Sequence, residues 1–498
     1  MQHAHLEPDA EFQNGVAFVE VVFQKIFGLP IHKEVFMQNI FYQPPGVWFG
    51  DCMPFGLHDT FYLFHQRDTR NPAPFGEPFG WHLSTTKDFV HYEDHGIALP
   101  RGTDEEQDQF IFAGSVFMQN DGTYRIFYTG YNRDYPTQGK PSQVLLQAVS
   151  KDALHWEKVK EAVELPPQPG YDPDDWRDPF VLWDEEKQHY LLILGTRLRG
   201  PKTRLSGRTV HFTSPDLKHW DFGGDFWAPD TFAMHEMPDL FRIGDWWYHL
   251  ISEYCDKNRT VYRMAKSFYG PWLCPPDEAF DGRAYYAART YALGEQRILF
   301  GWVPTKENDQ DIGEFQWGGT FMAHELYARE DGTLGVKPPD SVWDFFDTPR
   351  TLPNLCLQSP YARKSHVLVS DTGNLFCFSC TVSFSEGTTG FGIGLYGDEE
   401  KGTSYQYHFS VPEHRFVFEK SPSLPWPAIN NNGLSRPIQL EAHKEYSIRL
   451  ICDDTISVLY INGVALSARM YETLKRSLSL FAENGTLSVS NISLATHA

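Results

Sequence analysis

Three seven-residue segments recur at a fixed spacing: TKDFVHY at 86–92, SKDALHW at 150–156 and SPDLKHW at 214–220. Their aspartates, Asp88, Asp152 and Asp216, stand 64 residues apart twice in succession. A weaker echo, KSFYGPW, follows at 266–272. A repeat of this length constrains the fold more than composition does, because each unit must be one supersecondary module that buries its apolar face on its neighbours. Between the repeats lie TFYLFHQ (60–66), TYRIFYTGY (123–131), QHYLLILGTR (188–197), WWYHLISEY (246–254) and RILFGWV (297–303). These runs are rich in β-branched and aromatic residues and bounded by Asp, Gly and Lys, so they read as strands. Several strands and one repeated corner per unit describe a β-propeller blade with long loops. The repeats, the echo and the stretch before them give about five blades.

The repeat ends near 340–360, where PPDSVWDFFDTPRTLPN forms a Pro-rich bridge. Beyond it come short alternating runs (LFCFSCTVSF, GFGIGLYG, YQYHFSV, YSIRLIC, TISVLYI), the last closing on Asn462-Gly463, a strong hairpin signal. They read as a β-sandwich. The chain is therefore expected to be all-β: an N-terminal segment over 1–39, a five-bladed β-propeller over 40–345, a linker over 346–359 and a β-sandwich over 360–498. Helical spacing over 11–28 predicts a leading helix.

Charge narrows the partners. With 43 basic against 65 acidic residues the formal net charge is −22, which repels nucleic acid and anionic membranes and suits a neutral ligand. No apolar run is long enough to span a bilayer, and the N-terminus lacks the basic start and apolar stretch of an export signal. The seven cysteines (52, 255, 274, 356, 377, 380 and 452) are few and odd in number. Cys377-Phe-Ser-Cys380 has no second pair to complete a zinc site, so both are expected as reduced, metal-free thiols in a cytoplasmic protein. No spacing of His and acidic residues supports a metal, and no cofactor is expected. The sequence leaves a homo-oligomer open.

Hydrolysing a glycosidic bond needs two carboxyl groups, one ionised and one protonated. In a propeller they come from different blades. Asp51 in VWFGDCMPFG, Asp178 in DWRDPFVLW and Glu236 in HEMPDLF are spaced by nearly two units and then nearly one. Each stands beside a Pro and a large aromatic just before a predicted strand, so the three occupy equivalent places in different blades.

The set WFGD (48–51), FAGS (112–115), WRDP (176–179) and HEMPDLF (235–241) resembles glycoside hydrolase family 32, the invertases, inulinases and levanases, whose motifs are W-M-N-D-P-N-G, W-S-G-S, R-D-P and E-C-P-D-L-F. HLSTTKDFVHYE, LQAVSKDALHWEK, DGRAYYAARTY, RILFGWV, MAHELYAREDGTL and the C-terminal TISVLYINGVALSARMY extend the resemblance over roughly 40–498. It implies that Asp51 is the nucleophile, Asp178 the transition-state stabiliser and Glu236 the acid/base, kept protonated by burial and the neighbouring carboxylates. It also implies a retaining double displacement that releases fructose. Arg177, Gln66, Phe112 and Ser115 become candidate sugar contacts, and Trp48, Trp81 and Trp317 candidate stacking walls. The sequence departs from the motif at Gly50, Cys52, Met53 and Pro54, where both asparagines are gone, and at Phe112, Ala113 and Met237. Those departures leave the substrate open among sucrose, fructo-oligosaccharides, fructans and difructose anhydrides. The alternatives are a fructosyltransferase using the same acids, an arabinosidase or xylosidase of a related five-bladed family, and a non-catalytic fructan-binding protein, which would have lost one of the three acids.

Overall fold

The computed structural model describes residues 40–498 apart from 74, 160–164, 255–257, 399–400, 423–432, 473–474 and 498. The helix expected over 11–28, the rest of the segment 1–39, and Cys255 lie outside the described residues.

Five antiparallel sheets follow one another along the first part of the chain. Blade I is Trp48–Leu57, Thr60–Asp68, Trp81–Thr86 and Tyr92–Leu99; blade II is Phe110–Met118, Tyr124–Tyr131, Gln143–Ser150 and Glu157–Lys158. Blade III is Tyr171–Asp184, His189–Leu198, Gly207–Ser214 and Asp221–Trp227. Blade IV has three strands, His235–Ile243, Trp246–Glu253 and Thr260–Ala265, with bridges at Met264–Leu273 and Val261–Ala279 along its outer edge. Blade V is Tyr286–Leu293, Gln296–Lys306, Phe315–Ala328 and Leu334–Lys337. The first strand of each blade packs beside the first strand of the next, and that of blade V returns to that of blade I. This is a five-bladed propeller. The ring closes where Phe49 pairs with Gly319, joining blades I and V into one sheet.

The recurrent segment is the corner between the third and fourth strands. In each copy a hydroxyl (Thr86, Ser150, Ser214) accepts two backbone N–H groups, and an aspartate (Asp88, Asp152, Asp216) accepts two more. The histidine three residues on (His91, His155, His219) closes on that aspartate at 2.7–2.8 Å. Side chains thus satisfy the backbone of a turn that passes through a left-handed residue, Phe89, Ala153 or Leu217. Such a turn has to be spelled in the local sequence, which is why the repeat is visible there.

The second part forms one long folded sheet in which the last strand, Leu478–Thr496, is central. It pairs with Leu375–Phe384 and Gly390–Asp398 on one edge, and with Leu355–Val369 and Thr348–Thr351 on the other. The stretch 346–359, expected as a linker, therefore carries strand structure. Its prolines disguised it: Pro349 lies on an edge strand, and Pro353 lies between that strand and the next. Cys377 and Cys380 are buried free thiols on the Leu375–Phe384 strand. A polar seam ties the two parts together. Asp281 accepts Ser467 N and Oγ and pairs with His324 Nε2 at 3.1 Å, while His324 Nδ1 meets Tyr460 OH at 2.9 Å.

Candidate active site

The inner strand of every blade breaks register at one level. Pairing slips between Phe49 and Cys52 in blade I, Phe112 and Gly114 in II, Arg177 and Phe180 in III, Glu236 and Asp239 in IV, and Tyr286 and Arg289 in V. A bulge bends its strand and re-aims the side chains around it. Asp178, Met237 and Ala287 take left-handed φ values of +63°, +50° and +53° there. Pro179 and Pro238 occupy bulge positions, where a missing N–H removes no ladder bond. The expected acids therefore lie within the innermost strands, not just before them; the prolines that suggested a strand start mark the bulge.

At this level a cavity of about 610 Å³ opens on the propeller axis. Asp51 of blade I, Asp178 of blade III and Glu236 of blade IV all line it, together with Asp174, Asp175, Arg177, Lys202, Tyr254 and Tyr286. Gln66, Phe75, Phe112, Tyr131 and Trp317 form the rest of its wall with Pro136, Ser142 and Gln143. Burial, then the like charges of Asp178 and Glu236, push the Asp51 carboxyl up to about 8, against the pull of Trp302 and Arg177. Trp302 Nε1 donates to Asp51 Oδ1 at 3.1 Å. Burial likewise raises Asp178 to about 6, Arg177 opposing and Glu236 adding to the shift. Met237 N donates to Asp178 Oδ2 at 3.0 Å, Asp178 N donates to Thr129 Oγ1 at 3.0 Å, and Arg289 Nη2 donates to the Asp178 carbonyl at 2.7 Å. Glu236 is gripped at both oxygens. Arg177 Nη2 reaches Oε1 at 2.6 Å and Tyr286 OH donates to Oε2 at 2.5 Å. Arg177 is aimed in turn by Asp175 at 2.8 Å, and Asp175 by Arg197 at 2.5 Å.

Of the expected sugar contacts, Gln66, Phe112, Arg177 and Trp317 reach this cavity and Trp48, Trp81 and Ser115 do not. Trp81 is fully buried in the core of its blade and donates its indole N–H to the Phe112 carbonyl. The Arg70 guanidinium covers the Trp48 ring at 4.5 Å. Ser115 lies past the blade II bulge, accepts Val181 N at 3.1 Å, and lines a separate cavity of about 530 Å³ toward the other end of the inner strands. Sequence reasoning missed Tyr286, Asp175, Tyr254 and Trp302. Tyr286 had a signal: it stands in AYYAART at the blade V bulge, the place equivalent to Glu236 in blade IV.

The chain matches the family model described as glycosyl hydrolases family 32 N-terminal domain over residues 41–338, and that described as glycosyl hydrolases family 32 C terminal over residues 353–496. A sucrose-6-phosphate hydrolase of Vibrio alginolyticus is 25% identical over 440 residues, covering 83% of this chain and 81% of its own. A levanbiose-producing levanase of Bacillus subtilis (strain 168) is 28% identical over 477 residues, covering 88% and 86%. Among solved structures, fructan 1-exohydrolase IIa from Cichorium intybus superposes with a TM-score of 0.75 at 16% identity, over 92% of this chain and 96% of that one. An exo-inulinase from Aspergillus awamori gives a TM-score of 0.73 at 18% identity, over 93% and 99%.

Proposed function

This chain belongs to glycosyl hydrolases family 32, and we propose that its axial cavity cleaves β-fructofuranosides by double displacement, with Asp51 as nucleophile, Glu236 as acid/base and Asp178 as stabiliser. The activity is that of a fructose-releasing glycosidase. The observation that carries the residue roles is the convergence of three carboxyls from three blades on one cavity, each delivered by a bulge in an inner strand.

With Asp51 raised to about 8 and Asp178 to about 6, the free site keeps a proton near neutral pH. The reactive arrangement has it on Glu236. Glu236 then gives it to the glycosidic oxygen as Asp51 attacks the anomeric carbon, breaking the C–O bond and forming a fructosyl ester. The Trp302 N–H on Asp51 favours the ionised form that attack requires. Water, losing a proton to Glu236, opens the ester and releases fructose with its configuration retained. Arg177 and Tyr286 fix the Glu236 carboxyl between the two steps. Asp178, anchored through its backbone by Thr129 and Arg289, accepts sugar hydroxyls whose bonds tighten as the ring becomes oxocarbenium-like.

The substrate is uncharged in this reading. Five carboxyls line the cavity against Arg177 and Lys202, and Arg177 is committed to Asp175 and Glu236. We also place the enzyme in the cytoplasm. The six described cysteines are free thiols, which suits a reducing compartment. Early-time NMR of the product tests the mechanism: β-fructofuranose should appear before its anomer, and mass spectrometry of a rapidly quenched reaction should find the ester on Asp51. The α anomer appearing first, or an ester elsewhere, would sink the assignment.

A further inference from the structure

Gly50 immediately precedes Asp51 in the blade I bulge, and its φ lies outside the left-handed region. Its torsion does not call for glycine; the space around it does. A Cβ placed there would lie 2.7 Å from Trp317 Cη2, 2.9 Å from Trp317 Cζ2 and 3.0 Å from Gln66 Cβ. Side chains do not tolerate such approaches, so the indole occupies the volume that a side chain at position 50 would claim. The ring has little freedom to retreat. It stacks on Phe79 at 5.9 Å and 12°, and meets Phe75 at 5.8 Å and Trp302 at 6.4 Å edge-on. Arg70 ties the Trp317 carbonyl to blade I. With those neighbours on its other faces, a displaced ring is pushed toward the cavity that it lines with Asp51.

We propose that Gly50 and Trp317 form one specificity element, in which the indole seated over Gly50 presents an apolar face next to the nucleophile where a polar side chain at 50 would otherwise reach the sugar. The reacting fructosyl unit packs a C–H face on this ring, and the uncharged sugar attached to it follows the aromatic wall of Phe75, Phe112 and Tyr131. Apart from Gln66, recognition on this side of the site is by shape and dispersion, while hydrogen bonding comes from Asp178 and Glu236 on other blades. The inference rests on the fructosidase reading above and adds the class of contact that selects the substrate.

A double-mutant cycle tests it, because only groups in contact give non-additive effects. The variants are Gly50→Ala, Trp317→Ala and the pair together. Kinetics use whichever of sucrose, 1-kestose, inulin or levan the parent cleaves best. Gly50→Ala should lower kcat/KM by roughly 100-fold or more as the displaced ring fills the cavity. Trp317→Ala should act mainly through KM, by roughly 10-fold or more, since it removes a packing surface used by bound sugar and transition state alike. The pair should match Trp317→Ala within about 3-fold, because the clash has lost its second partner. Equal penalties for Gly50→Ala with and without the indole would overturn the proposal. If Gly50→Ala alone does not fold, recovery of folding in the pair gives the same support, and failure of both overturns it. Calorimetric titration with free fructose runs the same cycle on Kd without turnover. Additive Kd changes, or no binding by the parent, overturn the proposal. A non-additive Kd cycle in a parent that cleaves no fructoside would remove the hydrolase reading and leave this one standing.

Discussion

Replacing Asp51 by Asn should make the protein more stable, and increasingly so as the pH rises. Burial and the charges of Asp178 and Glu236 take this carboxyl from an ordinary 3.8 to about 8. Between those values the folded chain holds a proton that the unfolded chain has released, so stability falls as pH climbs through the window. At about 1.4 kcal/mol per pH unit, keeping Asp51 in the fold costs roughly 2 kcal/mol at pH 5 and roughly 5 kcal/mol at pH 7.5. Asp178, itself raised to about 6, can take up part of the proton, so the neutral variant should recover about half of each figure. Asparagine keeps the shape, and its amide oxygen can still accept Trp302 Nε1, so little else changes. Thermal scans of parent and variant at the two pH values, at one ionic strength, check the reasoning. At about 1 °C per kcal/mol for a chain of this size, the variant should lead by about 1 °C at pH 5 and about 2.5 °C at pH 7.5, with hydrolysis abolished at both. An equal lead at both pH values, or a less stable variant at pH 7.5, would refute the argument.

Glu236→Gln should keep fructose binding while cutting turnover by about 10²–10⁴, the usual share of acid–base catalysis. Azide should restore part of the second step by attacking the ester without needing a base; near-normal turnover on a poor leaving group would reject Glu236. Tyr286→Phe removes the donor on Glu236 Oε2 and should lower kcat/KM by about 10-fold, from the roughly 1–3 kcal/mol of a hydrogen bond to a charged group; an unchanged kcat/KM would show the contact to be idle. Arg289 is buried and donates to the Gly114 and Asp178 carbonyls, and its charge helps hold Asp178 down. Arg289→Met should therefore destabilise the fold by about 3–5 kcal/mol and move the acid limb of the kcat/KM profile to higher pH. A limb that stays put would separate Arg289 from the chemistry. An uncharged fructoside should exceed its 6-phosphate in kcat/KM by about 10-fold or more, since like charge close to a site costs upward of a kcal/mol; parity would mean that Lys202 offsets the carboxyls.

What could be read from the chain was whatever local chemistry spells out. The corner at Asp88, Asp152 and Asp216 uses the same hydroxyl, carboxylate and imidazole each time, so the propeller announced itself at its turns. Spacing and motif single out the three acids, and the structure gathers them in one cavity. The bulges were not legible, because an inserted residue merely interrupts alternation, and in blade V it is the unremarkable Ala287. That omission explains the misplaced side chains. Which of two neighbouring residues faces the axis depends on which side of the bulge it lies, and Ser115, two residues past Ala113, falls toward the other cavity. Trp81 and Trp48 were weighed as walls on residue type alone, but one became core and the other a seat for Arg70. The hold of Tyr286 and Arg177 on Glu236 joins residues 50 and 59 positions away, a pairing that only the packing of neighbouring blades produces.

Leu478–Thr496 gives the molecule a schedule. Two strands, Thr348–Thr351 and Leu355–Val369, pair with this segment alone, while Leu375–Phe384 and Gly390–Asp398 each give it one of their two edges, and a ribosome delivers it after all four. Domains generally fold as units during synthesis, the N-terminal one first. The propeller, whose ring closes through Gly319, has its complete set of strands while the sandwich is still waiting for its centre. Nascent chains stalled after residue 477 should resist protease up to about residue 340 and be cut freely between 355 and 369; protection of that later stretch would contradict the order. Until that segment arrives, the waiting strands present open edges to every other chain nearby, so neighbouring nascent chains on one polysome are where mispairing has its opening.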